Sequence, residues 1–134
     1  MVISITQEDF DVNAMIQSRK APEVGGLVSF VGIVRDDGIT KIELEAFEEA
    51  ALEELNLIKD EAFEKYPLMS VDIIHRIGML NVGDNLLLIL VAAGHRKEAF
   101  DGCEYILERI KETVQIWKKE FTEDGERWVP GEHH

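Results

Sequence analysis

The sequence predicts an α+β fold: a mostly antiparallel sheet with packed helices and a C-terminal hairpin. Three observations point there. Short segments that are apolar or alternate apolar with polar are strand-like, and three longer stretches carry apolar residues at three- and four-residue steps. The two kinds succeed one another as β-α-β-β-α-β-β-α-β-β, without the strict alternation of a parallel α/β sheet. No internal repeat, low-complexity tract or linker interrupts the 134 residues, so one domain is expected over 1–134.

The elements follow in order. VISIT reads as a short strand, and Thr6 is placed to cap a helix through QEDFDVNAMIQSRK, with Asp9 three residues on in a capping-box position. Pro22 and Gly25–Gly26 close that unit. LVSFVGIVRD is a second strand. After the DDG turn, TKIELEAF returns with Ile42, Leu44 and Ala46 alternating against Lys41, Glu43 and Glu45, so the two read as a hairpin. EEAALEELNLIKDEAFEKY is the clearest helix, apolar at Ala51, Leu55, Ile58 and Ala62 or Phe63, and Pro67 ends it. SVDIIHRIGML is a strand, NVGDN a turn, and LLLILVAA a strand apolar on both faces, hence central. RKEAFDGCEYILERIKETVQ is the last helix, with Phe100, Cys103 or Glu104, Ile106–Leu107 and Ile110 at helical spacing. WKKEF and ERWVP, around TEDG, form the closing hairpin.

Composition narrows the class. With 46% hydrophobic and 31% charged residues, the chain is that of a soluble globular protein. MVISITQEDF lacks the features of a signal peptide, and a cytoplasmic location is expected. A net charge of −13 argues against nucleic acid and anionic membrane as partners. Cys103, alone, excludes an intramolecular disulfide, and no carboxylate/histidine spacing suggests a metal site. Between His95 and Lys119, however, six Lys/Arg stand against five Asp/Glu, enough for a local cationic pocket.

Gly94–His95–Arg96–Lys97 opens the last helix, where free N–H groups already carry partial positive charge. Either the cations pair with Glu98 and Asp101 along the first turn, or His95, Arg96 and the helix amides form an oxyanion site suited to phosphate. Arg35, beside the DDG turn, is either paired with Asp36 or Asp37 or a second phosphate clamp. Lys111 and Lys118 flank the end of the same helix. Lysines there commonly just complement the dipole, but a lysine held among cations and apolar rings can serve as base or nucleophile. Lys119, if the segment is extended, faces away from Lys118. His75–Arg76 falls mid-strand, one member expected buried and hydrogen-bonded, the other exposed. Cys103 reads as a small core residue. His133 and His134 are left out of the site.

Helix rise adds a constraint. Arg96 and Lys111 stand about 22 Å apart in an unbroken helix, too far for one small substrate to touch both. A site using both ends requires a second copy, which brings its His95 and Arg96 to the first copy's Lys111 and Lys118.

LVSFVGIVRDDG, VDIIHRIGMLNVGD, AAGHRKEAFDGCEYILERIK, IWKKE and DGERW, in this order and spacing, resemble the large, catalytic subunit of molybdopterin synthase, the MoaE family. The resemblance spans about Gly25 to Val129. It departs at Gln115, where many relatives have proline, and around Phe47 and Ala51, where they carry tyrosine and methionine. It implies an α/β-hammerhead-type fold and a homodimer within a heterotetramer, each protomer docking a small ubiquitin-like sulfur carrier with a Gly-Gly thiocarboxylate. The implied reaction converts cyclic pyranopterin monophosphate (precursor Z) to molybdopterin, inserting two sulfurs as a dithiolene. By motif, Lys111 and Lys118 would be catalytic. Arg35, His95 and Arg96 would bind the pterin phosphate, the latter two from the neighbouring chain, and Phe30 would help line the pocket. No cofactor is implied, because the sulfur arrives activated. Two other classes compete: a non-catalytic dimeric scaffold for a ubiquitin-like partner, and a ferredoxin-like sensor of a phosphorylated ligand.

Overall fold

A computed structural model describes residues 1–129. His133 and His134 lie outside the described residues, as does Pro130 of the expected last strand. In chain order the elements are β1 (Ile3–Thr6), α1 (Val12–Arg19), β2 (Gly26–Ile33), β3 (Lys41–Glu45), α2 (Glu48–Lys65), β4 (Leu68–Arg76), β5 (Gly78–Asn81), β6 (Asn85–Ala93), α3 (Arg96–Thr113), β7 (Trp117–Thr122) and β8 (Gly125–Val129). The α+β expectation holds, but the strands divide into two four-stranded sheets, ordered β1-β4-β6-β2 and β5-β3-β7-β8. Every pairing is antiparallel except β1 with β4.

The two sheets overturn two sequence expectations. SVDIIHRIGML is two strands rather than one: the chain leaves the first sheet after Arg76 and joins the second at Gly78, whose φ of +89° suits glycine. Nor do β2 and β3 form a hairpin. β2 has partly buried apolar residues on both faces and lies against β6, whereas β3, polar on one face, pairs with β5 and β7. The β2–β3 and β5–β6 crossings run side by side and are tied by Val34 N–H to the Asp84 carbonyl at 2.9 Å and Gly83 N–H to the Val34 carbonyl at 2.8 Å.

β6 is central, as its unbroken apolar run requires, with β4 and β2 on either side. Its two faces feed separate clusters. Leu87, Ile89 and Val91 join Leu55, Ile58, Ile106 and Ile110 beneath α2 and α3, while Leu88 and Leu90 meet α1 through Met15 and Ile16. Ile42, Leu44, Leu80 and Ile116 extend the main cluster to the second sheet.

Helix boundaries and faces differ in detail. α1 starts after Asp11, whose carboxylate accepts from Ala14 N–H at 3.0 Å; Thr6 instead accepts from Glu8 N–H, so the expected capping box does not form. α2 buries Ala51, Leu55, Ile58 and Ala62 as its spacing predicts, and Tyr66, extended before Pro67, ends it. α3 buries Ala99, Gly102, Cys103, Ile106 and Ile110, leaving Phe100 62% exposed. Gly102 lies on the buried face, where an added Cβ would come 3.0 Å from the Leu68 side chain and 3.4 Å from Val91, so α3 approaches the sheet closely there. α3 also stops at Thr113, before Gln115.

Candidate functional site

A cavity of about 460 Å³ opens where the end of β2 faces β3 and β7, so its walls come from both sheets. Phe30, Gly32 and Val34 form one side, Ile42 and Leu44 another, and Arg35 and Asp37 the mouth; Lys118 and Glu120 enter from β7. Alternation along β7 makes this possible. Residues two apart share a face, so Lys118 and Glu120 turn to the cavity while Lys119 turns away. Lys119 Nζ lies 3.0 Å from Glu126 and over the rings of Phe121 and Trp128.

The structure therefore brings Arg35 and Lys118 to one cavity from opposite ends of the sequence. Arg35 is 82% exposed and its Nε donates to Asp37 Oδ2 at 3.0 Å. Lys118 is 17% exposed, with Nζ 3.5 Å from Glu120 Oε2. Glu120, 9% exposed, also accepts from Arg127 Nε at 3.0 Å and Nη2 at 2.8 Å, both at Oε1. Glu120 and Arg127 were not singled out by sequence reasoning. The signal was present, since Glu120 shares a strand face with Lys118 and Arg127 is its cross-strand neighbour, but reading it needs the hairpin register.

His95 and Arg96 do not join this cavity. They open α3, exposed, His95 as the N-cap residue with an extended backbone and no side-chain cap. Gly26, where β2 begins, packs against the Arg96 backbone, while the cavity begins at Phe30, roughly 13 Å along the strand, and continues past its far end. α3 advances beside β2, reaching Phe30 at Cys103, so Lys111 in its last turn lies toward the cavity end. Lys111 is partly buried, 3.6 Å from Glu108, and does not line the cavity. The unbroken helix sets Arg96 about 22 Å from Lys111.

Of the three basic residues at the start of α3, only Lys97 forms an ion pair among the described residues. Its Nζ lies 2.9 Å from Asp101, one turn on, and that hydrogen bond holds its pKa above the ordinary lysine value. Among the described residues His95 and Arg96 form no ion pair. The local pairing expected for the whole trio is thus confined to one member.

Other candidates fall away. Burial pushes the Cys103 thiol up to about 11, which keeps it protonated and inert near neutral pH. His75 is fully buried with Nδ1 2.8 Å from the Arg76 carbonyl. With His75 buried, strand alternation leads one to expect an exposed Arg76, but its side chain is only 12% exposed. It turns inward to donate to the Gln7 and Asn85 carbonyls, pinning the point where the chain changes sheets. No cluster of His, Cys, Asp or Glu suited to a metal occurs among the described residues. Among the described residues no helix is long and apolar enough to cross a membrane. A shallower groove of about 330 Å³ lies on the outer face of the second sheet, lined by Glu45, Phe47, Trp117 and Trp128. Phe47 and Trp117 meet edge-to-face at 5.4 Å, with Phe47 74% exposed.

Comparison with known proteins matches residues 5–113 to the family described as MoaE protein. A molybdopterin synthase catalytic subunit of Pyrococcus abyssi is 40% identical over 131 residues, covering 95% of this chain and 88% of the relative. That of Ralstonia nicotianae is 39% identical over 133 residues, covering 95% and 76%. Among solved structures, the molybdopterin synthase from Staphylococcus aureus superposes with a TM-score of 0.86 at 40% identity, covering 93% of this chain and 94% of that one.

Proposed function

The chain belongs to the MoaE protein family, and on that premise we propose that it is the catalytic subunit of a molybdopterin synthase. It transfers sulfur from the C-terminal thiocarboxylate of a small ubiquitin-like carrier to cyclic pyranopterin monophosphate, in the cytoplasm. The observation that carries this reading is the convergence of Arg35 and Lys118 on one cavity, an anion clamp at the mouth and a half-buried amine within.

The site is completed by a second protomer. Arg35 and the partner copy's equivalents of His95 and Arg96 anchor the substrate phosphate, while Lys111 and Lys118 serve the chemistry. The opposite placement of the two cationic groups along α3 supports this arrangement, since one chain cannot close them on a small molecule. Two protomers and two carriers make the heterotetramer.

In each transfer the thiocarboxylate sulfur forms a bond to a substrate carbon as that carbon's bond to oxygen breaks, the departing oxygen taking up a proton and leaving as a hydroxyl group or water. Water then cleaves the acyl–sulfur bond, and the carrier leaves as the carboxylate. Lys118, beside the carrier tail, stabilises negative charge on the acyl oxygen and sulfur, and Lys111 assists proton transfer. Holding both reactants in register supplies much of the rate.

The test combines purified chain, thiocarboxylated carrier and the pterin monophosphate, with product followed by mass. Lys118→Ala and Lys111→Ala are expected to stay folded and lose turnover; undiminished product from both removes the catalytic assignment. A second reading, a dimeric scaffold docking a ubiquitin-like partner without sulfur chemistry, draws on the exposed groove at Phe47, Trp117 and Trp128. It predicts carrier binding with no pterin product.

A further inference from the structure

Glu120 divides its two carboxylate oxygens unequally between two cations. Oε1 receives both Arg127 Nε at 3.0 Å and Arg127 Nη2 at 2.8 Å, whereas Oε2 faces Lys118 Nζ at 3.5 Å. The first contacts have the length of charge-assisted hydrogen bonds, and the last is longer than such a bond. A carboxylate this buried needs a partner, and the one it holds tightly is the arginine across the hairpin, not the lysine two residues back.

Exposure reinforces the asymmetry. Arg127 is 64% exposed and reaches inward from edge strand β8, while Lys118 and Glu120 both belong to the cavity wall. Arg35 and Asp37, the other charged groups there, are paired with each other at the mouth. One carboxylate thus stands between two cations, gripped at hydrogen-bond length by Arg127 and 3.5 Å from Lys118.

We propose that Arg127 is a positioning residue for the transfer reaction: by occupying Oε1 it keeps Glu120 from closing on Lys118, so that the ammonium stays directed at the reactants. The inference rests on the reading of Lys118 as a catalytic group. It extends the machinery to a residue that touches neither substrate nor carrier tail and acts through Glu120.

The experiment is steady-state sulfur transfer by the intact synthase, chain plus thiocarboxylated carrier, with thermal melting of each variant. R127Q is expected to lower kcat on the order of tenfold while KM for the pterin changes less than about threefold, the cost of misplacing one group. R127K, which keeps the charge but not the two-pronged grip, is expected between R127Q and wild type, and it carries the test should R127Q fold poorly. The distinguishing result is R127Q/E120Q, expected to turn over faster than R127Q alone, because the amide no longer captures Lys118. A merely structural Arg127 would leave the double variant no better than the single. Wild-type kcat in R127Q, or a double variant at or below R127Q, overturns the inference while K118A is inactive. Wild-type turnover in K118A removes the premise itself.

Discussion

Arg19 grips Asp72 with two parallel hydrogen bonds, Nε to Oδ2 and Nη2 to Oδ1, each at 2.8 Å. The Asp72 side chain is fully buried, and its Oδ1 also accepts from Val2 N–H at 2.7 Å. One carboxylate thus fastens the end of α1 and the approach to β1 onto β4, and its hydrogen bonds raise the pKa of the Arg19 guanidinium. Arg19→Met strands that charge and is expected to cost about 3–5 kcal/mol in urea unfolding. Replacing both partners, R19M/D72L, is expected to recover most of the loss. A single variant within about 1 kcal/mol of wild type would show that water reaches Asp72.

The separation of Arg96 from Lys118 by the lengths of β2 and α3 can be tested by subunit mixing. R96A and K118A homodimers are each expected to be inactive. Co-expressed, half of the dimers combine the two chains, and each of those carries one intact site, so about one quarter of wild-type activity returns. If both residues served a site within a single chain, mixing would restore nothing.

Arg35 presents a smaller, signed effect. It is highly exposed and its ion pair with Asp37 is of the surface kind, worth less than about 1 kcal/mol. Asp37 is nonetheless a competitor for any phosphate. Asp37→Asn is expected to lower KM for the pterin monophosphate up to about threefold, and Arg35→Ala to raise it, with kcat changed little in D37N. A rise in KM for D37N would mean that the pair itself orients the arginine.

These residues also show what the sequence discloses. Period and punctuation identified all three helices, the central strand and the final hairpin, because each is set by its own side chains: the double-faced Leu86–Ala93 run of β6, the Pro67 stop, the alternation in Lys41–Glu45. What stayed hidden was partnership. The assignment of β2 and β3 to different sheets shows only in their pairing, β2 with β6 and β3 with β5 and β7, which no local pattern around the DDG turn reports. The Phe100 face was misread for the same reason, since the face of α3 that includes Gly102 and Cys103 is buried only by packing against distant strands. At the site, cations at helix ends could be named individually, but the Glu120–Arg127 pair emerges only once the β7–β8 register is known.

Cys103 gives a pH prediction with a definite sign. Burial raises its thiol from an ordinary value of 9.0 to about 11, so the folded state holds the proton more tightly than the unfolded chain. Its contribution to stability is complete below pH 9, falls as pH rises from 9 to 11, and levels off above that. The native protein at pH 8 is expected to resist a thiol reagent such as DTNB, and to react fully after unfolding in urea. Rapid native reaction would place the sulfur at the surface.

Gly25 joins stability to the site. Its N–H donates to the Ala93 carbonyl at 2.9 Å, and a Cβ built on it would collide with the Gly94 carbonyl oxygen, so backbone rather than a flexible side chain would have to move. Gly94 leads directly into His95, the N-cap of α3. Gly25→Ala is therefore expected to cost about 1–3 kcal/mol, in the range of other overpacked substitutions. It should also displace His95 and Arg96 while leaving Lys111, at the far end of α3, and Lys118, on β7, in place. The two effects separate by mixing. G25A is expected to behave like R96A, recovering activity when combined with K118A chains but not with R96A chains. Recovery with R96A chains instead would place the damage at the lysine end and detach the Gly25–Gly94 contact from the phosphate anchor.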